Sequence, residues 1–571
     1  MLCGIRGNRN DEMLSSMAAR LGHRHTGEVK YLHGVDCHVA WAPDACSNSL
    51  CGAVGSDESG FIALSGIPRH PSARSIEELL QIAQEEGIKF LDELGGPFVG
   101  ILYHSGKCYL FRDKAGRRTM YLTEIGGSIC FAIESRVLYS LPGFSPEILP
   151  ASLAQYLAFS YVPGGNTMLR GIREIPAGCY IEARSPDTAV RYFFPERLEN
   201  SASERTDREW IGVFDQSFRR CIDHLPAPSS NRAVFLSGGI DSSMVTDALA
   251  EKYGFSSLKA FAIHFGKDYP NELPWIREMA KHCNVECEEV EVNPKMFVPS
   301  LEEIVSSLND PIGDPVAMPN YQLARHVAGQ GFEAVYNGEG GDPLFGGPKN
   351  MTMLLHHWYG QPREKNHREK GYLSSYRRGY EELHYLLTPD YRRQIDEETD
   401  LEGILSRHFG AGPPESFLKK LLLINMRLKG AHLILPKVER MLGAHGLTPL
   451  SPLFDEELIE LCMALPGHLL LQNGIEKWIF KEAYRDRLPD SIINRPKSGM
   501  RVPVHYWFRG EMKRYARHIL LDRKVKNAGI FDHRRIRKLL NYDTDEGPGR
   551  YGIRLWMLLT FELWRREVFG G

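Results

Sequence analysis

AVFLSGGIDSSMVTDALAEKYG, residues 233–254, decides the fold. AVFL (233–236) is a short apolar run of strand type. IDSSMVTDALAEKYG (240–254) sets Met244, Val245, Ala248 and Leu249 on one helical stripe and stops at Gly254. A strand therefore passes into a helix through Ser237, Gly238 and Gly239. Backbone amides at such a turn point outward, the helix N-terminus adds partial positive charge, and glycine admits an anion without a Cβ in the way. Ser242 and Ser243 add hydroxyl donors. The turn suits phosphate oxygens, but it is not a Walker A loop, because the GxxxxGK[ST] spacing and its lysine are missing.

The pattern continues outward on both sides. LKAFAIHF (258–265), CEEVEV (287–292) and EAVYN (333–337) read as strands, and ELPWIREMAKH (272–282) as a helix with Leu273, Ile276, Met279 and Ala280 on one face. This alternation predicts a parallel sheet with helices on both sides. Beyond residue 350 the chain reads as mostly helical, as in SFLKKLLLINMRLKGAHLIL (416–435) and DEELIELCMALP (455–466). Before residue 195 it reads as mostly β: FIALSG (61–66), FVGILYHSG (98–106), CYLFRD (108–113) and SICFAIES (128–135) alternate with Gly-containing turns. SIEELLQIAQEEG (75–87) and ASLAQYLAFSYV (151–162) are its helices. ENSASERTDREW (199–210) is polar and aperiodic and is taken as a linker. Two domains are expected, 1–200 and 205–571.

Composition narrows the function classes. In 571 residues, 69 Lys and Arg against 72 Asp and Glu give a net charge of −3. A chain whose main task is neutralising nucleic-acid phosphates needs clustered basic excess, so no nucleic-acid partner is expected. No apolar run reaches about 18 residues, so no membrane span is expected. The start, MLCGIRGNRNDEMLSS, lacks an apolar signal-peptide core. Eleven scattered cysteines without CxxC pairs suit reduced thiols and a cytoplasmic location. HHWY (356–359) is read as pocket wall or core rather than as a platform for stacked bases.

Two more segments carry chemistry. NGEGGDPLFGG (337–347) follows the strand EAVYN, with glycines around Glu339 and Asp342. At the switch point of an open α/β sheet, Asp342 can meet Asp241, and two carboxylates facing a triphosphate make a reasonable Mg²⁺ site. NRPKSGMRVP (494–503) sets Lys497 in a Pro- and Gly-bracketed loop. An ammonium fixed there would stabilise charge on a leaving pyrophosphate.

SGGIDS matches the pyrophosphate loop of ATP pyrophosphatases, SGGxDS. With DPIGDPVAMPNYQLARH (310–326), GEGGDPLFGG (338–347), VERMLGAHGL (438–447), EKWIFKEA (476–483), LPDSIINRPKSG (488–499) and VPVHYWFRG (502–510), it resembles the asparagine synthetase superfamily. That superfamily includes β-lactam synthetases, carbapenam synthetase and lasso-peptide cyclases. CGI (3–5), FLDELGGPFVGILY (90–103), RDKAGRRTMYL (112–122) and GIREIPAG (171–178) look like an Ntn-type glutamine amidotransferase domain.

The resemblance implies an N-terminal αββα sandwich and a C-terminal parallel α/β ATP-pyrophosphatase domain with a helical extension. It implies a carbon–nitrogen ligase that adenylates a carboxylate with ATP and Mg²⁺, releases pyrophosphate, and passes the acyl group to an amine. By motif, Ser237, Gly238, Gly239, Asp241, Ser242, Gly340 and Gly341 would hold the nucleotide, and Asp241 and Asp342 the metal. Lys497 would support the transition state. Glu439 matches a carboxylate that works beside a tyrosine in some cyclising members.

The N-terminal half departs from the pattern. A working glutaminase of this type begins with the nucleophilic cysteine, whereas Cys3 lies behind Met1 and Leu2. Where the family holds glutamine with Asn-Gly-Glu, this chain has Leu64, Ser65 and Gly66. Glutaminase activity is therefore expected to be lost. Pro343 replaces the usual Glu after the GGD aspartate, and Thr448 and Leu450 replace charged positions; both changes are expected near the acyl-acceptor pocket and favour a less polar substrate. The expected activity is macrolactam formation of the lasso-peptide type or β-lactam formation. The alternatives are glutamine- or ammonia-dependent asparagine synthesis and a non-catalytic nucleotide binder. The substrate would be a small molecule or peptide, with a leader peptidase or carrier as a possible partner protein.

Overall fold

The computed structural model describes residues 1–24, 27–44, 49–51, 59–184, 188–198, 205–226, 232–347, 349–359, 365–410, 416–496, 499–541 and 551–570. Two antiparallel sheets build the N-terminal part. The first runs through β1 (Leu2–Arg6), β2 (Lys30–His33), β3 (Cys37–Trp41), β7 (Tyr121–Ile125), β8 (Ser128–Ala132) and β9 (Arg173–Glu174), in the order β2-β3-β1-β8-β7-β9. The second contains β4 (Gly60–Gly66), β5 (Phe98–His104), β6 (Lys107–Arg112), β10 (Cys179–Glu182) and β11 (Ala189–Arg191), in the order β11-β10-β6-β5-β4. Alternate residues of the two sheets, such as Ile5, Val39, Ala63, Val99 and Ile101, share one core. The helix Asp11–Arg20 packs on β1 and β3, and Ile76–Glu86 covers the other sheet through Leu79, Leu80 and Ala83. The result is the expected αββα sandwich. Ser75 caps the second helix by accepting from the Glu78 amide.

Thr206 begins the second part. Its hydroxyl and the Glu209 carboxylate form a capping box for the helix Asp207–Asp223. The segment 199–210 is thus not all linker: polarity and missing periodicity at its end reflect cap residues and a first helical turn. Residues 199–204 lie outside the described residues.

The sheet of this part is wholly parallel: β12 (Arg232–Phe235), β13 (Leu258–His264), β14 (Glu286–Glu291), β15 (Ala334–Tyr336) and β16 (Thr448–Leu450), ordered β14-β13-β12-β15-β16. Strand alternation serves two cores. Val234, Ala260, Ala262 and Tyr336 face the helices Asp207–Asp223, Ile240–Tyr253 and Leu273–His282 through Phe214, Met244, Leu249 and Ile276. Ala233, Phe261 and Val335 face the helices Ala317–Ala328 and Leu435–Gly443 through Leu323, Val327, Val438 and Leu442. Burial on both sides explains the nearly continuous apolar runs of these strands. The chain order reverses between β12 and β15, which puts the switch point beside Ser237 and Asn337.

The apolar stretch 416–435 is helical as expected, but not uniformly. An α-helix, Phe417–Ile424, widens into a π-helix, Asn425–Ile434, before α-geometry resumes at Leu435. The helix Tyr551–Phe569 ties the two parts together: Tyr156 donates to the Met557 carbonyl at 2.8 Å.

Candidate active site

The turn after β12 is held by its own hydroxyls. Ser242 Oγ accepts from the Ser237 amide at 3.1 Å and lies 2.9 Å from Ser237 Oγ. Gly238 has φ +67°, and a Cβ there would sit 2.8 Å from Trp275 Cβ and 2.9 Å from the Ile276 nitrogen. Both conformation and space demand glycine at this position. Gly239 leads directly into the helix Ile240–Tyr253. Four sequence-named residues, Ser237, Gly238, Gly239 and Ser242, thus form one small cradle at a helix N-terminus.

The loop after β15 closes onto that cradle. A Cβ on Gly338 would come within 2.5 Å of the Ser242 nitrogen, and one on Gly341 within 2.1 Å of Asp241 Oδ1. Gly340, at φ +116°, turns the chain into the short helix Gly341–Phe345. This close approach brings Asp241 and Asp342 to one point. Lys477 Nζ donates to Asp241 Oδ1 at 2.7 Å, to Asp241 Oδ2 at 2.6 Å and to Asp342 Oδ1 at 2.5 Å. The Lys477 side chain is 4% exposed, that of Asp241 13% and that of Asp342 30%. The aspartates therefore look out from a closed ionic floor, with Asp342 the more open.

Sequence reading missed Lys477. It lies in EKWIFKEA, which carried the family resemblance, but a lone lysine is most often a surface residue. Its backbone is left-handed, φ 58°, immediately before the helix Trp478–Ala483. The sequence gives no sign of that conformation.

Above this floor opens a cavity of about 610 Å³. Ser237, Asp241, Ser242, Gly338, Gly340 and Asp342 line one part. Gly499 and Met500 bring in the NRPKSG loop. Arg495 docks this loop on the cradle: Nη1 donates to the Gly238 carbonyl at 2.8 Å, the guanidinium pairs with Glu272, and it lies over the Trp275 ring at 4.1 Å. Lys497 lies outside the described residues.

The rest of the lining comes from the chain beyond the sheet. Asp314 and Lys437 form an ion pair at 2.5 Å, and Asp314 also accepts from the Val316 amide at 3.1 Å. Burial works to raise the Asp314 carboxyl, but Lys437, the Val316 amide and Lys429 together outweigh it and hold the group below its ordinary range. The π-helix contributes Lys429, Leu433 and Ile434.

Several sequence-named positions stand elsewhere. Glu439 does not line this cavity. It is buried at the contact between the two domains, where Arg118 Nη1 lies 3.2 Å from Oε1, and it borders a separate cavity of about 20 Å³. Its neighbours on the helix are engaged apart from it, Lys437 with Asp314 and Arg440 with the Leu308 carbonyl and Tyr121. Helical period explains this: positions 437 and 439 point to different faces. Thr448 borders the same small cavity, Leu450 is a core residue of β16, and Pro343 is buried in its helix, so none of the three lines the larger cavity. Trp358 and Tyr359 are exposed at the end of the helix Lys349–Tyr359 and form neither pocket nor core.

Cys3, the cysteine that the resemblance singles out, is closed off from substrate. Cys3 sits within β1 between Ala40 and Ala132, wholly buried, and burial pushes its thiol up to about 12. A thiol so placed is a poor source of thiolate. Around the glutamine position, the Leu64 carbonyl accepts from Trp41 Nε1 at 2.6 Å and from Cys51 Sγ at 3.1 Å, while Ser65 Oγ donates to Asp44 at 3.2 Å.

With this geometry in view, comparison with known proteins is decisive. The family described as asparagine synthase matches residues 215–566, which is more than half of the chain. The chain belongs to the asparagine synthase family. Residues 69–194 match the glutamine amidotransferase domain. The chain is 25% identical over 508 residues to asparagine synthetase [glutamine-hydrolyzing] 1 of Bacillus subtilis, covering 83% of this chain and 77% of that protein. It is 22% identical over 476 residues to asparagine synthetase B [glutamine-hydrolyzing] of Escherichia coli, covering 79% and 69%. It is also 22% identical over 521 residues to amidase chyE of Penicillium rubens, covering 80% and 77%. As a member of this family it is an ATP-dependent carbon–nitrogen ligase. No helix among the described residues is long and apolar enough to cross a membrane.

Proposed function

We propose that this ligase activates a carboxylate as its acyl-adenylate and joins it to an amine that does not come from glutamine. The convergence of Asp241 and Asp342 beneath the Ser237–Ser242 cradle carries the reading. The cradle amides and hydroxyls would hold the triphosphate, and Lys477 would keep the two aspartates together. The oxygen donors of Asp241 and Asp342 suit Mg²⁺, which keeps phosphate and water as its other ligands and would supply charge neutralisation on the departing pyrophosphate.

The substrate carboxylate attacks the α-phosphorus and pyrophosphate leaves. The amine nitrogen then attacks the acyl carbon, AMP leaves, and the amine gives up a proton. Cys3 in its strand supports an amine source other than the N-terminal domain. Leu433, Ile434 and Val438 in the cavity wall support an acyl substrate with an apolar body. This reading favours ring closure, as macrolactam or β-lactam, on a small molecule or peptide delivered by a biosynthetic partner. Asparagine synthesis is the second reading, favoured by the names of the similar proteins.

ATP–[³²P]pyrophosphate exchange across a panel of amino acids and peptide acids separates the two. Exchange with a peptide or modified amino acid, unaffected by glutamine, supports the first. Exchange with aspartate, followed by glutamine-driven asparagine formation, refutes it.

A further inference from the structure

Resting on that reading of the cavity, we infer that the N-terminal domain serves the synthetase reaction by fixing the π-helical wall of the cavity, with Glu174 and His432 as positioning residues. Longer π-helical stretches are rare and concentrate at functional sites. In Asn425–Ile434 the wide turn divides the side chains: Lys429, Leu433 and Ile434 face the cavity, whereas His432 faces the N-terminal domain. The same turn creates a backbone deficit. In the π pattern the Ala431 carbonyl would accept from the residue five positions on, which is Pro436 and has no N–H. A buried carbonyl without a donor is costly.

The N-terminal domain supplies that donor. Arg112, wholly buried, gives one N–H from Nη2 to the Ala431 carbonyl at 2.9 Å. Its other N–H groups go to the carbonyls of Gly116, Arg118 and Ile175 and to Glu174 Oε1 at 2.6 Å, which uses all five donors of the guanidinium. The second oxygen of Glu174 faces His432 Nδ1 at 3.2 Å. Burial acts to raise the Glu174 carboxyl, but His432 and Arg112 outweigh it. Two adjacent residues of the π-helix, 431 and 432, are thus gripped by one Arg–Glu pair of the other domain, on the face opposite the cavity-lining side chains. A domain whose Cys3 is buried in a strand keeps a role in this way.

The test uses the full chain. His432→Ala removes the Glu174 half of the grip and leaves the Arg112–Ala431 hydrogen bond and the N-terminal core in place. His432→Asn keeps a donor near the Nδ1 position. Hydrogen–deuterium exchange across residues 425–434 reads the wall directly. Binding of the Mg²⁺ complex of α,β-methylene-ATP reads the nucleotide end, and pyrophosphate exchange with the amino-acid and peptide-acid panel reads the acyl end. For His432→Ala we expect at least about ten-fold faster exchange in 425–434 and a comparable rise in KM for the carboxylate. kcat and nucleotide affinity should stay within about two-fold, and His432→Asn should restore the wild-type values. Three results would overturn the inference: unchanged exchange in His432→Ala, an equal loss of nucleotide affinity, or failure of His432→Asn to rescue. If no carboxylate supports pyrophosphate exchange, the adenylation reading fails, while the deuterium and nucleotide measurements still decide the grip.

Discussion

Lys477→Met is the most informative perturbation of the ionic floor. It keeps the length of the side chain and removes the ammonium that Asp241 and Asp342 share. Oxygens within 2.6 and 2.5 Å of one nitrogen lie no more than about 5 Å apart. Two unit charges at that separation and an effective dielectric of about 20 repel by about 3 kcal/mol. The 30% exposure of Asp342 reduces this through screening, and the lost charged hydrogen bonds add to it. A net destabilisation of about 3 kcal/mol results, at the low end of what removing one partner of a buried pair costs. For a domain of this size that lowers Tm by roughly 3–6 °C. Differential scanning fluorimetry with and without Mg²⁺ reads both halves of the argument. Without the ammonium, the paired carboxylates should bind a divalent cation more readily, so Mg²⁺ should raise the Tm of the variant by more than that of the wild type. An unchanged Tm, or a variant indifferent to Mg²⁺, would refute the reasoning.

Other outcomes follow from the same geometry. Gly341→Ala would push its methyl to 2.1 Å from Asp241 Oδ1, so the carboxylate must leave Lys477; ATP–pyrophosphate exchange should fall at least about ten-fold, with nucleotide binding weakened in fluorescence titration. Burial raises the Asp310 carboxyl to about 7, against the lowering pull of the Met168 amide and Arg440. The native state therefore takes up a proton near neutral pH that the unfolded chain takes up only near pH 4, and this contribution to stability grows as pH falls from about 7 toward 4. Asp310→Asn should raise Tm at pH 8 and flatten its pH dependence; a steeper profile in the variant would contradict this. Cys3→Ala should leave ATP-dependent turnover within about two-fold and glutamine hydrolysis at background, measured as released ammonia; a loss of glutamine-driven turnover would restore a glutaminase role.

The parallel sheet was legible because its strands are buried on both faces and its helices on one, which writes two distinct periods into residues 233–292. The cradle was legible because Ser237, Gly238, Gly239 and Ser242 are adjacent in sequence. Asp342 could be added because its loop follows a strand. Lys477 and Arg495 were not legible, since each acts through a contact with a distant segment, and neither residue type in its local setting signals that contact. The π-helix left no trace either: an apolar stretch buried all round fits α and π geometry alike, and only Pro436 hints that a ladder bond is missing. That Glu439 borders the small cavity at the domain contact was not legible, because a motif fixes a residue on a helix but not the face it turns. The end of the supposed linker was helical because a capping box is built from polar residues that also favour loops.

The central claim is that the Ser237 cradle and Asp342 act on one nucleotide and split it between its α- and β-phosphates. Following [α-³²P]ATP through turnover with an accepted carboxylate and amine tests it most directly. Labelled AMP should form in equal amount to pyrophosphate and fall at least about a hundred-fold in Asp342→Asn. Labelled ADP, or AMP formation indifferent to that substitution, would contradict it.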